Sequence, residues 1–172
     1  MSENIEKKAK NIPKCLRPEE FLDLIKEIPR KDYKARIGFL LAYGSGLRVS
    51  EVLNCKKESF RDNSIFISEA KNKVQRIVPI PKGWKIDFLA FLPLKTTARS
   101  LERKFKKYSE KANLSKDYTF HSLRHGFATR SLESGIPINQ VQLLLGHQNL
   151  STTSIYVRAN PIDALKNYEK LF

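Results

Sequence analysis

Apolar residues recur every three or four positions along most of the chain, which is the spacing of amphipathic helices. This spacing predicts helices at residues 18–28, 32–43, 48–55, 97–113, 122–134 and 137–145. Prolines and glycines flank these segments, as expected where helices begin and end. The predicted inward faces consist of Phe21, Leu24, Ile25, Ile28, Tyr33, Ile37, Leu40, Leu41, Val52, Leu53, Ala98, Leu101, Phe105, Tyr108, Ala112, Val141, Leu144 and Leu145.

The pattern changes from helical to strand-like after the third predicted helix. SIFIS at residues 64–68 and VQRIVPI at residues 74–80 are short runs rich in β-branched side chains, which is typical of strands. The polar segment EAKNK between them is predicted to form a hairpin turn. The sequence therefore predicts a mainly α-helical fold with one small antiparallel β-sheet, in the α+β class.

The remaining segments complete the predicted organisation of a single domain. Residues 84–94 are compatible with a short helix, a second short helix is predicted to carry Tyr156, and residues 161–172 are predicted to form a last helix. Residues 1–14 are polar and basic, and we interpret them as an N-terminal arm or the remnant of a linker. The predicted domain then spans residues 15–172, a length that suits one core.

The charge balance favours a polyanionic partner. The 172 residues include 32 Lys and Arg against 18 Asp and Glu, which gives a formal net charge of +14. Basic proteins bind nucleic acid because neutralising phosphates releases condensed counterions. The alternative is a lysine-rich genome or a thermophile surface, but such surfaces usually balance Lys with Glu, and this chain does not.

The sequence gives no indication of a metal site, a disulfide framework or a membrane segment. Cys15 and Cys55 lack metal-ligand spacing and the pattern of a disulfide scaffold. No apolar run reaches the length of a membrane span, and the charged N-terminus lacks the apolar core of a signal peptide. These features predict a soluble, cytoplasmic protein with neither a metal nor a cofactor.

Two short motifs are candidates for binding a phosphate group. His121 and Arg124 are three residues apart at a predicted helix start, so both side chains can face one site. Arg48 follows two glycines at the start of another helix, where backbone amides also attract anions. A guanidinium suits phosphate because it donates two parallel hydrogen bonds. The alternative is structural: His121 caps its helix and Arg124 pairs with a surface acid. Arg48 would then pair with Glu51.

A lysine, a histidine and a tyrosine are candidates for acid–base and nucleophilic chemistry. Lys71 lies in the predicted hairpin turn, from which it can donate a proton to a leaving oxygen or simply be solvated. His147 follows Gly146, and its imidazole either projects into a site or interacts with the helix dipole. Tyr156 is either a core residue or a nucleophile. As a nucleophile it needs nearby cations and a proton acceptor, because the free pKa of tyrosine is about 10.

Together these residues resemble the motifs of tyrosine recombinases, the lambda-integrase and Xer group. The resemblance rests on GLRVSEVL, AKNKVQRIVPI, HSLRHGFAT and LLGHQNLSTTSIY, and it extends from about Pro18 to Tyr156. It implies the catalytic-domain fold of DNA breaking-rejoining enzymes and a site-specific recombinase or integrase activity without metal or cofactor. It also implies double-stranded DNA as the partner, a tetrameric synapse on DNA and a monomer without DNA.

The resemblance also implies a role for each candidate residue. Arg48 and Arg124 would grip the scissile phosphate and stabilise the pentacoordinate transition state. His121 would act as a base or hydrogen-bond partner, and His147 would donate to a non-bridging oxygen. Tyr156 would form a 3′-phosphotyrosyl bond. A 5′-hydroxyl from a partner strand would then attack this bond and reseal the DNA.

The predicted hairpin departs from the family pattern at its lysine. By its distance ahead of the RIVP run, Lys71 would protonate the leaving 5′-hydroxyl. The family usually flanks this lysine with glycines, whereas here Ala70 and Asn72 flank it. Lys73 therefore competes for the same role. Lys73 and Arg76 are also predicted to contact DNA.

Two further segments are expected to make intermolecular contacts. The family places the helix corresponding to residues 97–113 in or near the major groove, so Arg99 and Arg103 are predicted to contact DNA. Residues 161–172 resemble the segment that docks on a neighbouring protomer in recombinase assemblies. The alternative is that this last helix folds back onto its own domain.

Family members also carry an N-terminal helical domain that closes a clamp around DNA. Here residues 1–14 stand in its place, which is compatible with a fragment, a minimal recombinase or a decayed remnant. The functional alternatives are a DNA-binding module without turnover and nicking and relaxation of the type IB topoisomerase kind. All of these alternatives share DNA as the partner.

Overall fold

The computed structural model describes residues 15–68 and 75–146, and helices dominate this part of the chain. The helices are α1 (Pro18–Lys26), α2 (Tyr33–Gly44), α3 (Val49–Asn54), α4 (Ala98–Lys111), α5 (Phe120–Glu133) and α6 (Ile138–Leu145). The strands are β1 (Phe60–Arg61), β2 (Ser64–Ser68) and β3 (Gln75–Pro79), and 3-10 helices span Lys57–Ser59 and Ile86–Phe91. The prediction of a mainly α-helical fold with a small antiparallel sheet is confirmed.

The sheet has three antiparallel strands in the order β1-β2-β3. Strands β2 and β3 pair in a continuous register from Ser64 opposite Pro79 to Ser68 opposite Gln75, which confirms the predicted hairpin. The sequence did not predict β1, because a strand of two residues is too short to show an alternating pattern. The hairpin turn itself, with Lys71 and Lys73, lies outside the described residues.

Helix α2 is the centre of the fold, since α3, α4 and α5 all pack against it. The fully buried ring of Phe39 meets Phe105 of α4 at 5.6 Å and Phe120 of α5 at 5.8 Å, in edge-to-face geometry. Phe120 immediately precedes His121. This aromatic contact therefore fixes the start of α5, the helix that carries both residues of the H-x-x-R motif.

Some side chains that were predicted to face the core are only partly buried. They are Ile25, Tyr33, Leu40, Leu53, Ala98 and Ala112. In α2 the buried positions instead include Ala35, Phe39 and Ala42. A helix that other elements cover on several sides has no single apolar face, so the spacing of its apolar residues does not identify its inward side.

A smaller apolar cluster attaches α6 to α5. It contains Phe127, Ile136, Val141, Leu144 and Leu145, all of which are buried. Because α6 ends at Leu145, two residues before His147, this cluster sets the place where the chain leaves the helix. Within residues 15–68 and 75–146, no helix combines the length and the apolar character needed to span a membrane.

The predicted N-terminal arm and the last two predicted helices cannot be compared with the structure. Residues 1–14, the short helix predicted to carry Tyr156, and residues 161–172 all lie outside the described residues. Their boundaries therefore stay predictions.

Candidate active site

The buried carboxylate of Glu51 is the centre of the candidate site. Its side chain is only 1% exposed, and Arg76 binds it through two hydrogen bonds of 2.7 Å, one to each oxygen. Arg48 Nη1 donates to Oε1 at 3.1 Å, and Arg124 Nη1 lies 3.8 Å from Oε2. Three guanidinium groups thus surround one carboxylate.

The surrounding cations keep this carboxylate ionised. Burial by itself raises the pKa of Glu51, but the hydrogen bonds and charge of Arg76 outweigh it. The backbone N–H of Arg48 and the charge of Arg124 act in the same direction, so the pKa stays below its ordinary value. At neutral pH the cluster therefore carries one negative and three positive groups.

Arg48 is the most exposed of the three arginines. Its backbone N–H donates to Glu51 Oε2 at 2.7 Å, so Glu51 satisfies an amide at the start of α3. The Arg48 side chain is 34% exposed, against 4% for Arg76 and 5% for Arg124. The pairing of Arg48 with Glu51, which the sequence left as an alternative, is present, and Arg48 can still be reached by a ligand.

The arginines also bind the end of helix α6, whose last carbonyl groups have no partner within the helix. Three successive carbonyls each accept from one guanidinium: Leu144 from Arg76 Nε at 2.7 Å, Leu145 from Arg124 Nη2 at 2.7 Å and Gly146 from Arg48 Nη2 at 3.3 Å. Positive groups are favourable at this end of the helix dipole. His147 follows directly, so the arginines fix the point from which the chain continues to it.

Arg124 is held by main-chain carbonyls and not by the surface acid that the sequence allowed. Its Nη1 donates to the carbonyl of Gly46 at 2.6 Å, in the turn between α2 and α3. Gly46 has φ 68°, and a Cβ there would lie 2.6 Å from a ring carbon of Phe127. Only glycine fits this turn without strain, and the turn brings its carbonyl to Arg124.

His121 lies one helical turn before Arg124 and is exposed. Its ring meets that of His125 edge-on, with the centroids 4.6 Å apart. Burial, together with the charge of Arg124, lowers the pKa of His125, so this imidazole is neutral at pH 7. A neutral ring beside His121 can exchange a hydrogen bond with it or with a ligand.

Arg76 does not occupy the position expected of a DNA contact. Its side chain is 4% exposed, and both of its Nη atoms and its Nε donate to Glu51 and to the carbonyl of Leu144. The expectation that Arg76 binds DNA is therefore corrected: this guanidinium is buried within the protein. The reason is that Arg76 lies on the inward face of β3.

The other predicted DNA-contact residues divide between described and undescribed parts of the chain. Arg99 and Arg103 lie on α4 and are exposed, which leaves both available to a partner. Lys73 belongs to the segment outside the described residues. The same is true of three predicted catalytic residues, Lys71, His147 and Tyr156.

Two residues of the site were not selected from the sequence. Glu51 appeared only as an alternative partner of Arg48, although its position three residues later at a helix start is a signal for capping. His125 was not considered, although it follows Arg124 directly. The sequence around Glu51 does not indicate that Arg76 and Arg124 will contact it in the folded protein. Nor does the sequence around His125 indicate that its ring will contact that of His121.

The arrangement suits a ligand that gains negative charge during a reaction. Three guanidiniums and one carboxylate leave an excess of positive charge beside an exposed arginine and an exposed histidine. Preorganised cations of this kind stabilise developing charge without reorganisation. Within residues 15–68 and 75–146, no three His, Cys, Asp or Glu side chains form a group that could hold a metal ion.

Comparisons with known sequences identify a family that covers nearly the whole domain. The model of the phage integrase family matches residues 14–88 and 88–162. The tyrosine recombinase XerA of Thermococcus onnurineus is 36% identical over 184 residues, which cover 95% of this chain and 64% of that relative. The chain thus spans less than two thirds of the length of this curated relative.

Solved structures agree with this match at the level of the fold. The integrase from mycobacterium phage Brujita is 23% identical, with a TM-score of 0.75 over 96% of this chain and 60% of its own. The lambda integrase catalytic core is 24% identical, with a TM-score of 0.60 over 78% of this chain and 91% of its own. A lambda integrase tetramer bound to a Holliday junction is 21% identical, with a TM-score of 0.61 over 87% of this chain and 48% of its own. The expected catalytic-domain fold is confirmed.

Proposed function

The chain belongs to the phage integrase family of tyrosine recombinases, and we propose that residues 15–172 form the catalytic domain of a site-specific DNA recombinase. The observation that carries this proposal is the Glu51 cluster. It holds Arg48 and Arg124 beside the end of α6, on the carbonyls of the two residues that precede His147. Candidate residues that are far apart in the sequence thus converge on one place.

The proposed reaction is a transesterification at phosphorus. The Tyr156 hydroxyl loses its proton and attacks the scissile phosphate, which forms a 3′-phosphotyrosyl bond. The bond from phosphorus to the 5′-oxygen breaks, and Lys71 gives that oxygen a proton. A 5′-hydroxyl then reverses these steps and reseals the DNA. No external energy is needed, because the tyrosyl ester replaces one phosphodiester with another.

The charges of the site fit the transition state of this reaction. A pentacoordinate phosphorus carries more negative charge than the ground-state diester, so added positive charge accelerates the step. Arg48 and Arg124 supply that charge, and His147 donates to a non-bridging oxygen. His121 accepts or shares the proton of the nucleophile, with His125 at its edge.

Double-stranded DNA is the proposed substrate and partner. The net charge of +14 supports a polyanion, and the exposed Arg99 and Arg103 of α4 extend the basic surface beyond the site. The lambda integrase tetramer on a Holliday junction supports a tetrameric assembly on DNA, with residues 161–172 as the segment exchanged between protomers. Residues 1–14 act as an arm that leads into the domain.

A covalent-adduct assay tests the proposal directly. The probe is a labelled duplex library with randomised arms and a nick close to the central position, so that a short leaving strand diffuses away after cleavage. We expect a protein–DNA adduct on a denaturing gel, and its loss in Tyr156→Phe because the nucleophilic hydroxyl is gone. Tyr33→Phe is the matched control and should keep the adduct, because it removes a hydroxyl from the start of α2.

The outcomes separate the alternative functions. DNA binding in a gel shift without any adduct would reject the enzyme and favour a binding module. If the protein forms the adduct and relaxes supercoiled plasmid but does not join a second duplex, the result would favour the topoisomerase-like activity. An adduct that persists in Tyr156→Phe would reject Tyr156 as the nucleophile.

A further inference from the structure

Arg76 makes a set of contacts that the proposed reaction does not use. Two hydrogen bonds of 2.7 Å join its Nη atoms to both oxygens of Glu51, and a third of 2.7 Å joins its Nε to the carbonyl of Leu144. The three bonds link β3 to α3 and to α6. They cross 25 and 68 residues of sequence.

The geometry around Arg76 is tightly constrained. A Cβ on Gly146 would lie 2.9 Å from Arg76 Nη1, so the glycine that ends α6 also leaves room for this guanidinium. Gly146 has φ 64°, which independently favours glycine. The end of α6 and the Arg76 side chain are therefore fitted to each other.

The charges at this place explain what the contact does. Glu51 faces three guanidiniums, and Arg76 is the one that binds both carboxylate oxygens at short distance. Arg48 reaches the carboxylate at 3.1 Å and Arg124 at 3.8 Å. Without Arg76, the buried carboxylate would draw the other two guanidiniums toward itself and compensate their charge.

We propose that Arg76 is a positioning residue for the phosphate-binding arginines. It neutralises Glu51, so that the charges of Arg48 and Arg124 remain directed at the phosphate, and it holds the end of α6 in place. This inference rests on the proposed function, since it assigns a role within the same site. Lysine cannot replace Arg76, because an ammonium cannot bind both carboxylate oxygens and the Leu144 carbonyl in one fixed plane.

The test compares single-turnover adduct formation by four variants on the nicked duplex recovered from the library. They are Arg76→Met, Arg76→Lys, the double variant Arg76→Met with Glu51→Gln, and Arg61→Met. Arg61 is the matched control, because it is an exposed arginine of the same sheet and its loss removes the same charge. For each variant we would measure the rate of adduct formation at saturating DNA, the dissociation constant for DNA and the midpoint of thermal unfolding.

We expect both single Arg76 variants to cleave about 10- to 100-fold more slowly than Arg61→Met at saturating DNA. The double variant should be faster than Arg76→Met, because removing the carboxylate charge releases the other two guanidiniums. A role in packing alone would change the thermal midpoints of these variants and leave their cleavage rates at saturating DNA equal. Should Arg76→Met not fold, Arg76→Lys and the double variant carry the comparison, since the double variant removes the buried carboxylate charge that Arg76→Met leaves without its bidentate partner.

A substrate with a 5′-bridging sulfur distinguishes this role from one in proton donation. Sulfur leaves without a proton, so it restores a variant that lacks the general acid but should not restore Arg76→Lys. Rates within about twofold of Arg61→Met, no gain in the double variant, or restoration by sulfur would each overturn the inference. Absence of an adduct with the unaltered protein would instead reject the proposed function.

Discussion

At the scale of single residues, the site depends on one buried acid. A carboxylate that is 1% exposed is costly unless it is paired, and Glu51 is paired with three arginines. In return it holds like-charged guanidiniums close together, where they would otherwise repel each other. The buried acid therefore allows three positive groups to lie close together.

A second question at this scale is which hairpin lysine donates the proton. We expect Lys71→Ala to lower the cleavage rate of an ordinary nicked duplex by about 100-fold or more, since general acids contribute on this order. A 5′-bridging sulfur should restore its rate, because the sulfur needs no proton. Single-turnover rates on the two substrates provide the measurement.

Lys73→Ala is the matched control for that experiment, since it removes the same charge from the same turn. Lys73→Ala should weaken DNA binding, but its cleavage rate should not depend on whether the leaving atom is oxygen or the 5′-bridging sulfur. If Lys73→Ala is the variant that sulfur restores, and Lys71→Ala cleaves normally, then the assignment of the general acid is reversed.

At the scale of elements, the end of α6 and the start of α2 show how helix termini are used. The carbonyls that end α6 bind the arginines of the candidate site, which makes this terminus part of that site. The start of α2 lies at the other end of the central helix. There Asp32 caps the helix by accepting from the Ala35 amide at 3.3 Å, and it also binds Lys104 and Tyr108 of α4.

Replacing Asp32 tests how firmly this end attaches α2 to α4. Asp32→Ala should lower the free energy of unfolding by about 2 to 3 kcal/mol, because it removes a cap and two hydrogen bonds to a charged group. Asp32→Asn keeps a capping oxygen and should cost about 1 kcal/mol. Urea unfolding at pH 7 measures both values, and equal losses in the two variants would contradict the distinction between cap and charge.

The same contact predicts a dependence on pH. Burial raises the pKa of Asp32, but the bonds from Lys104, Tyr108 and Ala35 outweigh it and leave the pKa below its ordinary value. A lowered pKa in the folded state contributes stability above the unfolded value of about 4 and loses it as the pH falls further. The difference between the unaltered protein and Asp32→Asn should therefore shrink below about pH 4.

At the scale of the whole molecule, the net charge and the length of the chain determine how strongly we expect it to bind DNA and how that binding should depend on salt. The net charge of +14 favours a DNA backbone, while the chain spans 64% of the length of its XerA relative. A domain that binds mainly through phosphate contacts should bind DNA with a strong dependence on salt. Specificity then depends on the few side chains that reach base edges.

Measuring affinity against salt concentration tests the contribution of α4. Arg99→Ala and Arg103→Ala should each reduce the slope of log K against log salt by about 0.9 if each arginine binds one phosphate. Arg17→Ala is the control, because Arg17 pairs with Glu133 at 2.6 Å and its loss removes the same formal charge. An equal change of slope in all three variants would show that only net charge matters.

Local patterns in the sequence were sufficient for most of the secondary structure. The helices and the β2–β3 hairpin depend on spacings within a few residues, which the sequence displays directly. The strand β1 and the buried side of α2 were not predictable in this way. A two-residue strand has no period, and a helix that is covered on several sides has no single apolar face.

The order and types of the candidate residues were also fixed by the sequence, and they were enough to indicate a phosphate-binding site in a recombinase-like domain. Only the tertiary structure decided which arginines meet at Glu51 and which of them is exposed. Arg76 and Arg124 reach carbonyls of α6 across 68 and 21 residues, and Arg48 does so across 98. Such contacts leave no trace in local spacing, because they depend on how separate elements pack. For that reason Arg76 was expected to contact DNA and Glu51 was considered only as a partner of Arg48, although both lie at the centre of the candidate site.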